Sequence, residues 1–156
     1  MRHCQPTLTK IWIPPGRDGT RRTLEEMRNL ARKDSITPEV QAAAYMFPAA
    51  EVLERWMRDY WAVVDDPPDA EYILSPAFMI RCGFFAGDCD DAATFAASIL
   101  SAMRIRCQFV AVRVGLDSDF SHVWCRVPGL KVLDIDPIVP PERMPIPYTE
   151  AMVMDV

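Results

Sequence analysis

The sequence predicts an α+β fold in which a helical N-terminal half packs on a small antiparallel sheet, and three observations carry that expectation. Apolar residues recur at spacings of three and four through much of the first hundred positions, the signature of helices with one buried face. Beyond Arg104 the period shortens to two, the signature of strands. Helices come first and strands follow, an order that suits α+β and disfavours an alternating parallel sheet. With 156 residues, half of them apolar, the chain can bury a core as a single domain.

The first nineteen residues, MRHCQPTLTKIWIPPGRDG, mix proline and glycine with scattered apolar positions and read as an extended arm pinned by Ile11, Trp12 and Ile13. Helix one follows over 20–35, where Thr23 and Glu26 make a capping box and Leu24, Met27, Leu30 and Ala31 keep helical spacing. Its Arg and Lys residues form a solvated face, with an acidic partner as the alternative. Thr37 caps a second helix, with Pro38 at the first helical position, where a missing N–H costs nothing, and the helix ends before Pro48. The third, over 49–64, places Val52, Leu53, Trp56, Met57, Tyr60, Trp61 and Val64 along one side, a stripe that requires burial. DDPPDAEY breaks the chain, and ILSPAFMIRCGFF leads irregularly to Gly87.

The fourth helix, Cys89 to Arg104, repeats Ala92, Phe95, Ala96, Ile99, Leu100 and Met103 on one face. Its small residues permit close approach, so it should be the most buried helix. Three antiparallel strands lie within RCQFVAVRV, HVWCRV and KVLDID, joined by GLDSDFS and PGL. Prolines at 137, 140, 141, 145 and 147 exclude helix and interior strand, so the Pro-rich tail, 141–156, should lie extended over the surface or reach a partner. The core thus spans 20–140, with no internal repeat and no low-complexity tract.

Composition narrows the function classes. The net charge is −5, with eight Lys/Arg against five Asp/Glu in residues 1–40 and −8 in the rest. An acidic chain without a basic, aromatic-laced stripe does not suit nucleic acid. No apolar run approaches the roughly 18 residues that span a bilayer, so no membrane association is expected. Five cysteines without regular spacing, and a polar MRHCQPTLTK start, point to a reducing cytoplasm.

Cys89 opens the fourth helix, His122 begins a strand, and Asp134 and Asp136 lie on the next. A thiol at a helix N-terminus beside an imidazolium is pushed toward thiolate, and a carboxylate can fix the imidazole's tautomer and orientation. Asp88, Asp90 and Asp91 oppose the thiolate by about 0.7 kcal/mol each at roughly 6 Å in a water-like dielectric, so the histidine and helix prevail if these acids stay exposed. Period two puts Asp134 and Asp136 on one strand face and cannot separate them. Trp124 shares the face of His122, where it either walls the cleft or simply packs. Cys82, Cys107 and Cys125 read as buried core thiols. Cys82, Cys89, His122 and Cys125 lack the paired spacing of a zinc knuckle, and acids in a first helical turn already answer the helix dipole, so no metal is expected.

The order Gly87 to Asp91 (GDCDD), His122 to Trp124 (HVW), then Asp136 with Pro137 resembles the transglutaminase-like superfamily. Glu71, Ser75 and Pro76 upstream look like its small bacterial and phage-encoded members, and the resemblance covers about 50–140. The family often has glycine where the helix ends, and Arg104 stands there here. The resemblance implies a papain-like, transglutaminase-like core with Cys89, His122 and Asp136 as the triad, Asp134 being the alternative acid. It implies cysteine-dependent acyl transfer or hydrolysis on an amide of a protein or peptide, through a thioester and without a cofactor. The calcium that some larger relatives use has no visible site in the sequence. An alternative is a phage or prophage virion or assembly component that meets phage structural proteins through the N-terminal arm and Pro-rich tail, located in the host cytoplasm or the virion.

Overall fold

The computed structural model describes the backbone of residues 8–11, 16–67, 71–117 and 119–156, and the side chains of 16–67, 72–117 and 119–156. In chain order the elements are β1 (Leu8–Ile11), α1 (Arg17–Ser35), α2 (Pro38–Ala44), α3 (Ala50–Tyr60), β2 (Ala62–Val63), β3 (Glu71–Leu74), α4 (Pro76–Cys82), β4 (Ala86–Gly87) and α5 (Cys89–Ala102). Then come β5 (Gln108–Val114), β6 (His122–Val127), β7 (Leu133–Ile135), a 3-10 turn (Pro141–Arg143) and β8 (Tyr148–Asp155). The architecture is mixed α+β. Strands β7, β6, β5 and β8 form an antiparallel sheet in that order, β1 pairs antiparallel with β3, and β2 pairs parallel with β4.

Helix α5 is the centre of the core, buried without interruption from Asp90 to Leu100. Ala92, Ala93, Ala96 and Ala97 are nearly inaccessible, and these small side chains let α1 and the sheet approach the helix closely. One face of the sheet gives Phe109, Ala111, Val123 and Cys125 to this core, while Val110, Val112 and Trp124 make a second cluster on the opposite face. Period-two alternation along β5 and β6 thus supplies both layers. At the end of α5, Arg104 takes a left-handed backbone (φ 61°), with the Ile105 N–H bonded to Leu100 O. The turn that favours glycine is therefore made by arginine, at a conformational cost on the order of 1 kcal/mol.

Several expectations are corrected. Helix α1 begins at Arg17, not at 20, and Thr23 lies inside it; no capping box forms, and the Thr23 hydroxyl donates back to Gly19 O at 3.3 Å. The start is set from a distance, because the Gly16 N–H is bonded to Asp119 Oδ2 at 2.6 Å. The arm expected over 1–19 is partly the strand β1, while the pinning by Trp12 and Ile13 lies outside the described residues. Thr37 caps α2 as expected, its side chain accepting from the Val40 N–H. Helix α3 stops at Tyr60, so its stripe is only partly buried. Leu53, Met57 and Trp61 are inside, but Tyr60 is 64% and Val64 53% exposed. The chain turns extended at Trp61 to pair β2 with β4, which carries Val64 out of the stripe.

The stretch ILSPAFMIRCGFF is not irregular: it carries part of β3 and then α4, whose first turn is capped by the Ser75 hydroxyl accepting from the Phe78 N–H. Ser75 also donates to the buried Asp34 at the end of α1, which accepts from the Ala77 N–H as well. Cys82 is half-buried at the end of α4 and disulfide-bonded, unlike the core thiols Cys107 and Cys125. Most of the proposed tail is not a surface arm. Residues Tyr148–Asp155 pair along β5 from Val114 to Gln108, and Ile146 packs on the outer cluster of the sheet.

Candidate active site

His122, the first residue of β6, and Asp136, the first beyond β7, meet at one edge of the sheet. His122 Nε2 lies 2.6 Å from Asp136 Oδ2, and the two side chains are 9% and 1% exposed. Asp136 is itself fixed, since its Oδ1 accepts from the backbone N–H groups of Ile138 and Val139 at 3.1 and 3.2 Å. With the carboxylate accepting from Nε2–H, the Nδ1 of His122 is left for another partner. Asp134 is engaged elsewhere: it accepts from Trp124 Nε1 at 2.8 Å and from the Arg126 guanidinium at 2.6 and 3.0 Å. The histidine's partner is therefore Asp136 by geometry. Trp124 does not wall the cleft; it stacks behind His122, ring centroids 5.9 Å apart and 3% exposed.

Cys89 is the first helical residue of α5, half-buried, with Asp88 as the cap. It and His122 line one cleft of about 490 Å³. The far wall is supplied by Gly16, Thr20 and Thr23 of the α1 start, and the rim by Asp119, Phe120 and Ser121. That wall escapes sequence reading because it is local to neither the cysteine nor the histidine. A second cavity of about 590 Å³ opens on the other side of Ser121 and His122, lined by Val114, Ile138, Val139, Pro140, Ile146 and Pro147, with Asp117 and Arg143. His122 thus stands between two cavities. Only the first contains Cys89.

The acids around Cys89 are not exposed as the thiolate argument required. Asp90 is 3% and Asp91 2% exposed. Burial, aided by the charge of nearby Asp88 and Asp66, pushes Asp91 up to about 7 even though its Oδ1 accepts from the Leu74 N–H at 2.7 Å. Burial, then a side-chain hydrogen bond to Asp88 and the charges of Asp88 and Asp91, pushes Asp90 well above the ordinary carboxylate range. The cost of these acids to a thiolate is therefore lifted by protonation, not by solvent. Gly87 is required by this packing: a Cβ there would sit 2.2 Å from Asp91 Oδ2. Asp88, Asp90 and Asp91 each bring an oxygen within 4.8 Å of the others, a spacing a cation could bridge and the one such group among the described residues. Asp88 already accepts from the Asp90 N–H and Asp91 from the Leu74 N–H.

Comparison of the chain with protein-family models, characterised proteins and solved structures finds no match. Among the described residues no helix is long and apolar enough to cross a membrane.

Proposed function

We propose that the protein catalyses cysteine-dependent acyl transfer or hydrolysis on an amide, with Cys89 as nucleophile, His122 as acid and base, and Asp136 as the residue that orients the imidazole. The single observation that carries this reading is the His122–Asp136 pair bordering a cleft that also holds a cysteine at a helix N-terminus. The likeness to transglutaminase-like proteins in GDCDD, HVW and DP supports it, as does an antiparallel sheet packed against the cysteine-bearing helix.

In this mechanism the Cys89 sulfur gives its proton to Nδ1 of His122 and attacks the amide carbonyl carbon. The C–N bond then breaks, the amine leaves with the proton held by His122, and a thioester remains on Cys89. Water or an amine attacks the thioester carbon, losing a proton to His122, and the thiol is restored. Asp136 keeps Nδ1 turned to the sulfur and stabilises the imidazolium.

The test is the rate of Cys89 alkylation by iodoacetamide against pH, with Cys107 and Cys125, both buried, as internal references. The midpoint should lie well below the ordinary thiol value of about 8.5, and His122→Ala should slow the reaction at pH 6 at least tenfold. A midpoint near 8.5 that His122→Ala leaves in place would falsify the proposal.

A further inference from the structure

We infer that the second cavity beside His122 is the amine subsite of the reaction and selects an amine that carries an apolar side chain. This rests on the acyl-transfer reading and names the amine class for that site. The acyl carbon bonds to the Cys89 sulfur, so the acyl half occupies the cleft that contains Cys89, and the amine takes its proton from His122 as the C–N bond breaks. The amine therefore departs next to His122. The cavity of about 590 Å³ that shares His122 and Ser121 with the Cys89 cleft is where its substituent goes. An amine that attacks the thioester gives its proton to His122 in turn, so it enters from the same place.

Six of the ten residues that line this cavity are apolar, and its volume lies within the ordinary range of ligand sites, about 300–1,000 Å³. Pro140 and Pro147 are exposed and Ile138, Val139 and Ile146 half-buried, so the fold leaves this apolar surface open beside the histidine. The wall is also preformed. The Ile138 and Val139 N–H groups donate to Asp136 Oδ1 at 3.1 and 3.2 Å, Arg58 Nη1 donates to the Val139 carbonyl at 2.9 Å, and the Arg143 N–H donates to the Pro140 carbonyl at 2.9 Å. The two N–H groups that fix the carboxylate of the His122 pair thus also set the wall, so a side chain seated on it holds the amine against the group that moves its proton. The charged lining residues, Asp117 and Arg143, are exposed and opposite in sign, and together they give no preference for a charged substituent. An apolar side chain is the one this lining desolvates without stranding a polar group.

The experiment titrates the full chain with leucinamide, glycinamide and lysinamide and follows the methyl signals of Ile138 and Ile146 and the ring protons of His122 by NMR. Leucinamide should shift these signals saturably, and glycinamide and lysinamide should bind at least tenfold more weakly. Val139→Trp, which fills the cavity from a half-buried position, should weaken leucinamide at least tenfold, with Pro147→Trp as the second variant should the first not fold. Equal binding of the three amides, shifts confined to residues outside the cavity, or no saturable shift with leucinamide overturns the inference. The reaction itself is read by acetylating Cys89 with phenyl thioacetate, which releases thiophenol, and comparing N-acetyl amide with acetate by mass spectrometry. Relative to their reaction with phenyl thioacetate in solution, leucinamide should capture the acetyl group at least tenfold more efficiently than glycinamide, and Val139→Trp should cut that ratio severalfold; equal capture refutes the amine subsite. If Cys89 neither acetylates nor shows a lowered alkylation midpoint while leucinamide still binds in the cavity, the acyl-transfer reading is what has failed and the apolar amine site stands.

Discussion

The burial of Asp91 has a consequence for stability that can be worked through. Its carboxyl titrates near 7 in the folded protein against 3.8 for the unperturbed group, so the folded state binds the proton more tightly than the unfolded chain. Stability then falls as pH rises, because the unfolded chain has already given up the proton and the folded one must release it against burial. The penalty begins near pH 4, grows through the interval up to 7 and is complete above it. A shift of about three pKa units corresponds to about 4 kcal/mol in full, of which about 3 kcal/mol accrues between pH 5 and pH 8. In a domain of this size that is about 6–12 °C of melting temperature. Asp90 is raised by its own burial and acts with the same sign, so the single variant Asp91→Asn should keep a reduced slope and Asp90→Asn/Asp91→Asn should be nearly flat. Urea midpoints measured from pH 4.5 to 8.5 give the comparison. Stability that is level or rising from pH 5 to 8 in the unmodified protein would refute the reasoning.

Two further outcomes follow from the same region. Asp136→Asn should slow Cys89 alkylation at pH 6 at least tenfold and shift its pH profile, whereas Asp134→Asn, which loosens Trp124 and Arg126, should lower stability by about 1–2 kcal/mol and leave that profile in place; the two effects exchanged would mean that Asp134 is the orienting acid. Gly87→Ala forces a methyl to 2.2 Å from Asp91 Oδ2 and should cost about 2–3 kcal/mol in chemical denaturation, an effect that an unchanged midpoint would contradict.

What could be read from the sequence was what short-range pattern controls. The α5 face repeats over four turns, the Thr37 cap and Pro38 sit side by side, and HVWCRV alternates cleanly, so these elements and the Cys89 and His122 positions were legible. The missing elements have physical reasons. Strand β8 buries only Met152 fully, an edge strand with too little alternation to stand out behind five prolines. Helix α4 spans seven residues, less than two and a half turns, and gives no usable period. The α1 start depends on Asp119, 103 positions away, and no local signal encodes that bond. The choice between Asp134 and Asp136 was likewise unavailable from alternation. It is made by the backbone N–H groups of Ile138 and Val139, which hold Asp136, and by Arg126, which takes Asp134.

The acids of GDCDD show how one local pattern can serve opposite arguments until burial is known. Exposed, three carboxylates beside a thiol would each be a small electrostatic cost shared with solvent, and the helix dipole would explain them. Buried, Asp90 and Asp91 cannot stay charged cheaply, and the structure pushes both toward the neutral form. The burden then passes from the nucleophile to the fold: the thiolate is freed from two neighbouring charges, and the protein loses stability wherever the solution forces those protons off. Asp91 turns its neutral carboxyl to structural use through Leu74 and the close contact with Gly87, which locks the turn before α5. Asp90, held neutral by burial, makes a side-chain hydrogen bond to Asp88, the residue that caps α5.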